Sequence, residues 1–423
     1  MAELMTKGQN FIWTLDGSPP RIEAHTERKL EVIKQYLDLY FDTITANPRM
    51  DILQITFVDG FCGGGTYQRD GKLYYGSPFM LLNAVKDARF RVNIDRKKPL
   101  EIKSQFFFSD LNKAHMEILH GEILKSEFAD DVGKSIILQI GAFEEILPNV
   151  IKNITRRQRR GRSFFVLDQC GYLGVSIHCL QQIFKKLDKS EAILTFSIDA
   201  LLNYLRSDGT GLDKLRQFGV NDEFVSAWNE LKDDDIFGRA TAQRMIMNDI
   251  HKNSGATFFT PFMTRSNTDN RWMLLAHLSN HQAARDKMLH VHWDQQNYFR
   301  HIGRGSFYVL GFDNKLIESR DALFSFHAED EKIVKEELEN ELLSIVIENM
   351  TNNVLPVSHL LSNIGNLTAA KNELLFSVLQ EFAKEGELEI QKKDGGRKRK
   401  STMIKVTDNL TLPSQRSFFS KYS

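Results

Sequence analysis

An apolar run, Ile52 to Val58, ends on Asp59 and then on four glycines within six positions, Gly60-Phe61-Cys62-Gly63-Gly64-Gly65. No other stretch limits the fold so sharply. A buried strand that closes on an acid and glycines lets backbone come close to a ligand, because glycine has no Cβ to collide with it. A tight turn with no ligand has the same spacing. The other strand ends decide between the two.

Three more apolar segments stop on polar or glycine residues. Strands are predicted over Lys103–Ser109, ending at Asp110-Leu111-Asn112; over Ser135–Ile140, ending at Gly141-Ala142-Phe143; and over Ser163–Leu167, ending at Asp168-Gln169-Cys170-Gly171. Helical spacing runs from Glu27 to Asn47, through Leu30, Ile33, Tyr36-Leu37 and Tyr40-Phe41, and again from Lys113 to Leu124. Gly76-Ser77-Pro78 reads as a helix start with Ser77 as N-cap. A fifth strand is predicted over Ala192–Ile198, helical cover over about 200–256, and a hairpin from Thr257–Met263 and Trp272–Leu278. A helix over 280–299 and a strand over Phe307–Phe312 complete a domain spanning 25–318, after an extended lead-in over 1–24. Alternating strands and helices describe a doubly wound α/β sheet, whose ligands sit beyond the carboxyl ends of the strands. Asp59, Asp110, Gly141 to Phe143 and Asp168 should therefore share one edge.

Composition adds bounds rather than direction. Positive and negative charges balance at 55 each, so affinity for nucleic acid must come from local patches. Lys152 to Arg162 is one such patch, with Arg156, Arg157, Arg159 and Arg160 among six positive charges and no acid. Neutralised phosphates release counterions, and a solvated helix end is the competing explanation. Three cysteines without zinc-like spacing suit a reducing cytoplasm, and no signal-peptide core or membrane-length apolar run is present. His115 and His120 lack ligand spacing, and His290, His292 and His301 read as local polar contacts, so no metal is expected.

Past Asp321 the pattern changes. Helices are predicted over Ala328–Met350, from Pro356 to Ile364, and from a Thr368 cap through Phe382. Alternating strands over Glu387–Ile390 and Thr402–Val406 flank Lys392-Lys393-Asp394-Gly395-Gly396-Arg397-Lys398-Arg399-Lys400. Three helices and a basic hairpin form a winged helix-turn-helix over 329–410, followed by a tail over 411–423. Such domains place wing and third helix on duplexes, or serve as protein platforms. Lys371, Asn372 and Glu373 open the third helix as candidate groove contacts.

Together these residues resemble the three-Cys-motif partner family. Phe57 to Gly65 is similar to that family's Tyr-Ile-Asp-Gly-Phe-Ala-Gly-Pro-Gly, with Cys62 for alanine and Gly64 for proline. Gly76-Ser77-Pro78 resembles its Gly-Ser-Pro, Asp168-Gln169-Cys170-Gly171 its Asp-Pro-Phe-Gly, and His292-Trp293 with Phe307 to Phe312 its late aromatic and glycine stretch. The likeness covers about 25–315 in order. It implies a Rossmann-like class I methyltransferase sheet that binds S-adenosylmethionine, and a protein partner of the three-Cys-motif kind. Asp59, Gly60, Phe61, Gly63 and Gly65 would then take the methionine end, Asp110 the ribose, and Ala142 and Phe143 the adenine. Asp168 would hold a target amine against the methyl group, with Tyr172 further along the turn, and Cys170 is the alternative as a nucleophile.

The function expected is methyl transfer on, or guided to, DNA or RNA. The rival is a non-catalytic subunit that binds nucleic acid and a partner on the same scaffold. A nicotinamide-dependent oxidoreductase is disfavoured by the terminal hairpin and by the distance from the glycines to Asp110.

Overall fold

The computed structural model describes residues 13–14, 18–158, 161–169, 174–197, scattered positions between 215 and 229, 237–265, 272–295, 301–302, 323–324, 326–396, 398 and 402–413. Seven strands form the main sheet: β1 (Ile52–Asp59), β4 (Glu101–Asp110), β5 (Ile136–Ile140), β6 (Ser163–Asp168), β7 (Ser190–Phe196), β8 (Phe258–Arg265) and β9 (Trp272–Ser279). Their order is β5-β4-β1-β6-β7-β9-β8. β9 runs antiparallel to both β7 and β8, and β1, β4, β5, β6 and β7 pair in parallel. The doubly wound α/β sheet read from the sequence is the one observed. The β2–β3 hairpin (Thr66–Arg69 and Lys72–Tyr75) follows the glycine loop.

Helices cover both faces: α1 (Ala24–Ile44), α2 (Ser77–Arg91), α3 (Lys113–Leu124), α4 (Phe143–Arg157), α5 (Ile177–Lys186), α6 (Phe237–Ser254) and α7 (Gln282–Asp294). This is why the parallel strands read as continuous apolar runs rather than alternating ones; every residue of β7 is buried. One core gathers Phe165, Leu167, Leu194 and Ala276 with α4, α5 and α6; the other gathers Phe57, Phe108 and Phe164 with α1, α2 and α3. The many phenylalanines act here as packing: Phe57 and Phe106 stack across β1 and β4 at 5.5 Å.

Helix α1 buries Val32, Ile33, Tyr36, Leu37, Tyr40 and Phe41, the apolar face that its spacing foretold. It crosses the sheet from end to end. Near its start Lys29 meets Asp168 at the end of β6, and further on Tyr36 donates to Glu191 at the start of β7.

Three sequence expectations shift. Helix α2 has Gly76, not Ser77, at its N-cap position, with Pro78 still in the first turn, where its missing N–H costs nothing. The helix expected to start at Thr368 begins at Asn372, because Thr368 Oγ1 bonds the Ala370 amide in a local turn. The last strand is β14 (Asn409–Thr411) rather than Thr402–Val406. Asp408 Oδ2 takes the Lys405 amide and the Lys398 ammonium, and the turn it makes delays pairing. The expected turn Ser266–Asn270, the strand Phe307–Phe312 and most of 200–236 lie outside the described residues.

Two short strands, β10 (His301–Ile302) and β11 (Leu323–Phe324), pair antiparallel. Beyond them α8 (Ala328–Glu348), β12 (Val354–Pro356), α9 (Val357–Ile364), α10 (Asn372–Glu385), β13 (Glu389–Gln391) and β14 surround a third core. The small sheet is ordered β12-β14-β13. This C-terminal unit docks on α7 through buried polar bonds. Arg285 donates from Nε to Gly365 O at 2.9 Å and from Nη2 to Thr368 O at 2.7 Å. Asp286 accepts the Asn372 amide at 2.8 Å, and Trp293 Nε1 donates to Ala369 O at 2.9 Å.

Candidate functional site

The chain passes from β1 to β4 on one side and later to β6 on the other, so the order reverses beside β1. Ligands of open α/β sheets sit at such a reversal, beyond the strand ends. Asp59, Asp110 and Asp168 close β1, β4 and β6 there, and Gly141 follows β5, its amide bonded to Asp110 O at 3.1 Å. The edge foreseen in the sequence exists in space.

The glycine loop is tied down by its own chain. Gly60 N donates to Val166 O at 3.0 Å, Phe61 N to Asp59 Oδ1 at 3.1 Å, Cys62 N to Ser109 O at 3.0 Å and Gly63 N to Asp110 Oδ2 at 3.1 Å. Four successive amides are thus used within the fold. The glycines are also required by neighbours. A Cβ on Gly64 would come within 2.3 Å of the Trp13 ring, one on Gly60 within 2.7 Å of Phe143, and one on Gly65 within 2.5 Å of Leu119. Gly63 meets Trp13 as well and takes φ +58°, a region glycine enters without strain. Close approach is real here, but the group approaching Gly63 and Gly64 is an indole. Trp13 Nε1 bonds Thr66 O at 2.7 Å, and its ring packs edge-on against Tyr67 and His115.

The three carboxylates sit in different surroundings. Asp59 is fully buried, and its Oδ2 makes no well-formed hydrogen bond among the described residues. Burial pushes it up to about 7, and Asp168 and Asp110 push the same way; the nearby Ser77 hydroxyl and the Phe61 amide offset this only in part. Asp110 moves down instead. Burial raises it, but His115, the Asn112 and Gly63 amides together outweigh that. Oδ1 accepts the Asn112 amide at 2.8 Å and stands 3.3 Å from His115 Nδ1. Asn112 caps α3 through the Ala114 amide. Asp168 is paired with Lys29, whose side chain is almost wholly buried.

Around these, Phe143 is buried and faces Phe61 at 6.0 Å, while Ala142 opens α4. Gln169 Oε1 accepts the Gly174 and Val175 amides at 2.7 and 3.1 Å, pinning the chain after β6. Cys170 and Tyr172 lie outside the described residues. Cys62 is buried, its sulfur 3.4 Å from that of Met116, and burial holds its thiol well above the usual range, so it serves as packing.

The basic residues stand elsewhere. Helix α4 starts beside the carboxyl end of β5 and ends where β6 begins, about 22 Å away for fifteen residues. Arg156 and Arg157 are therefore at the amino edge of the sheet, both exposed, with Arg157 also donating to Gln105. In the C-terminal unit Lys392 and Lys393 are exposed, whereas the Lys398 side chain is tucked against Asp408. Lys371 sits 3.4 Å from Glu331 and 3.3 Å from Glu373, over the Trp293 ring, and Asn372 is held by Asp286 and Gln282. Arg159, Arg160, Arg397, Arg399 and Lys400 lie outside the described residues.

Sequence reasoning passed over Lys29 and Trp13, and gave Ser77 only as a helix cap, His115 only as a histidine without ligand spacing and Gln169 only as part of the turn after Asp168. Only Gln169 carried a signal, its place after a strand-ending acid. It also passed over Leu111 and Ile140, two apolar side chains 75% and 55% exposed at the ends of β4 and β5.

No family model matches the chain, and no curated protein matches it. Among solved structures it aligns with protein LPL1258 of Legionella pneumophila, of the family DUF519, at 10% identity and TM-score 0.33 over 59% of this chain and 85% of that one. It aligns with WbdD at 10% identity and TM-score 0.32, over 60% of this chain and 40% of that one. The plantazolicin methyltransferase BamL, solved with a triazolic desmethylPZN analogue and SAH, aligns at 11% identity and TM-score 0.24, over 61% and 88%. These distant likenesses add nothing to what the strand order itself gives. No helix among the described residues is long and apolar enough to cross a membrane.

Proposed function

We propose that the chain is a methyltransferase-like protein of the three-Cys-motif partner kind that binds S-adenosylmethionine and acts on, or is guided to, nucleic acid. The observation that carries the reading is the reversal of strand order at β1, with a buried carboxylate at its end whose Oδ2 has no hydrogen-bond partner among the described residues, and a second carboxylate closing the next strand. The residues fit the cofactor's groups. Asp59 offers an ammonium a partner and would ionise on meeting one. Asp110 Oδ2 keeps a second lone pair for a ribose hydroxyl, beyond the Gly63 amide it already accepts. Ala142 and Phe143 supply an apolar wall, and exposed Leu111 and Ile140 extend it. When bound, the cofactor supplies a methyl group on sulfur. The chain's own part is to hold and orient, with Asp168 accepting a hydrogen bond from the acceptor nitrogen, since in-line placement is a large share of such catalysis.

The order helix, strand, two helices and two strands in the C-terminal unit supports reading it as a winged helix. Its third helix begins inside the contact with α7, so exposed Lys392 and Lys393 are the better candidates for phosphate. A non-catalytic subunit is the second reading, favoured by one fact: Lys29 already occupies Asp168.

Calorimetry with S-adenosylhomocysteine, S-adenosylmethionine and NAD tests the conclusion. Binding of the first two, weakened at least tenfold in Asp110→Ala, is expected. Binding of NAD alone would overturn it. Methyl transfer from labelled cofactor to cellular RNA or DNA then separates enzyme from scaffold.

A further inference from the structure

The Lys29–Asp168 ion pair joins residues 139 positions apart, with side chains 8% and 26% exposed, at the strand end assigned to the acceptor. Neither a helix surface nor a crevice lining needs such a pair for packing. It changes what that crevice can hold. An ionised Asp168 alone would attract any amine, and an aliphatic ammonium most of all. With Lys29 beside it, an arriving ammonium meets one carboxylate and one like charge at similar range, and the two Coulomb terms nearly cancel. A neutral N–H donor escapes this balance, because it needs only a lone pair of the carboxylate oxygen that Lys29 leaves open.

Gln169 adds a second constraint. Its Oε1 is fixed by the Gly174 and Val175 amides, which leaves Nε2 as a buried donor with no hydrogen bond among the described residues. A donor of this kind calls for an acceptor atom. An acceptor nitrogen flanked by a carbonyl or ring nitrogen carries both a donor suited to Asp168 and an acceptor suited to such an amide. The other two acids do not compete for it: Asp110 is bonded to Gly63, Asn112 and His115, and Asp59 is the partner proposed for the cofactor.

We propose that Lys29 is a specificity-determining residue, which by neutralising Asp168 restricts this edge to acceptors with an uncharged amide-like or aromatic amine and turns away aliphatic ammonium groups. The proposal rests on the cofactor reading and narrows its substrate class. Lys29 acts through Asp168 and touches no reacting atom, so its signature is selectivity rather than rate.

The test uses the full chain saturated with S-adenosylhomocysteine, whose own binding is first measured by calorimetry. Cytidine is the neutral probe and Nα-acetyl-lysine the cationic one, each titrated by NMR. The wild-type protein is expected to bind cytidine at least tenfold more tightly. Lys29→Met should shrink that preference tenfold or reverse it, and Lys29→Arg should keep it. Thermal melting shows whether each variant is folded; if Lys29→Met is not, Lys29→Gln takes its place with the same expected loss. Equal affinities in the wild type, an unchanged ratio in the neutral variant, or no binding of either probe overturns the proposal. A protein that does not take S-adenosylhomocysteine fails earlier, at the calorimetric step, and that failure belongs to the cofactor reading.

Discussion

Two buried cations divide this molecule. Arg285 is 1% exposed and donates to backbone carbonyls of one turn, Gly365 O and Thr368 O. Lys29 is 7% exposed and meets one side chain, Asp168. Carbonyls of a packed turn cannot leave singly, so Arg285 fixes the C-terminal unit to α7 for good. A carboxylate at a strand end can keep one oxygen on its partner and offer the other. The same charge thus closes an interface in one place and tunes an open edge in the other.

The contrast is broken most directly at Arg285. Burial pushes its guanidinium down only to about 10, with Asp286 supporting it, so it stays charged at neutral pH. Arg285→Ala leaves two buried carbonyls without donors and should cost on the order of 3–5 kcal/mol. Urea unfolding followed by fluorescence measures it, and proteolysis should begin to cut between the two units. A loss below about 1 kcal/mol would mean the docking does not depend on this residue.

Asp59 probes the other edge next. Burial raises its carboxyl in the folded chain to about 7, against the ordinary aspartate value of 3.8. Between those values the folded chain holds a proton that the unfolded chain has released, so stability falls as pH rises from about 4 to about 7 and stays reduced above that. Asp59→Asn removes the charge without changing the shape. It should therefore be more stable than wild type at pH 8, on the order of 4 kcal/mol, and nearly equal at pH 4. Denaturation midpoints at both values decide, and a gap independent of pH would show that Asp59 is not held neutral.

How far the sequence reached follows the same division. Parallel strands buried on both faces leave unbroken apolar runs such as Phe106-Phe107-Phe108, and the acids that end them mark the edge. What escaped were the pairings across long separations. Arg285 looks like the polar face of an amphipathic helix, and only the 80 positions to Gly365 folded together make it a clamp. Glycines that suggested a ligand's approach cannot say whether an indole 53 positions from its bonded carbonyl will cover them instead. Thr402 to Val406 alternates like a strand, yet Asp408 diverts the backbone into a turn first. Local pattern reports burial and ends; it is silent on which distant side chain arrives.

Lys29→Met gives the smallest effect and the finest distinction. If Lys29 were a structural cation like Arg285, removing it would leave a buried charge and cost several kcal/mol. Asp168, however, keeps a quarter of its side chain exposed, so water can take the place of the ammonium. The methionine also preserves most of the apolar stem that Lys29 buries along α1. The expected loss is about 1 kcal/mol by urea unfolding, well below that of Arg285→Ala. A loss matching Arg285→Ala would make the ion pair part of the frame, and the division between the two cations would fall.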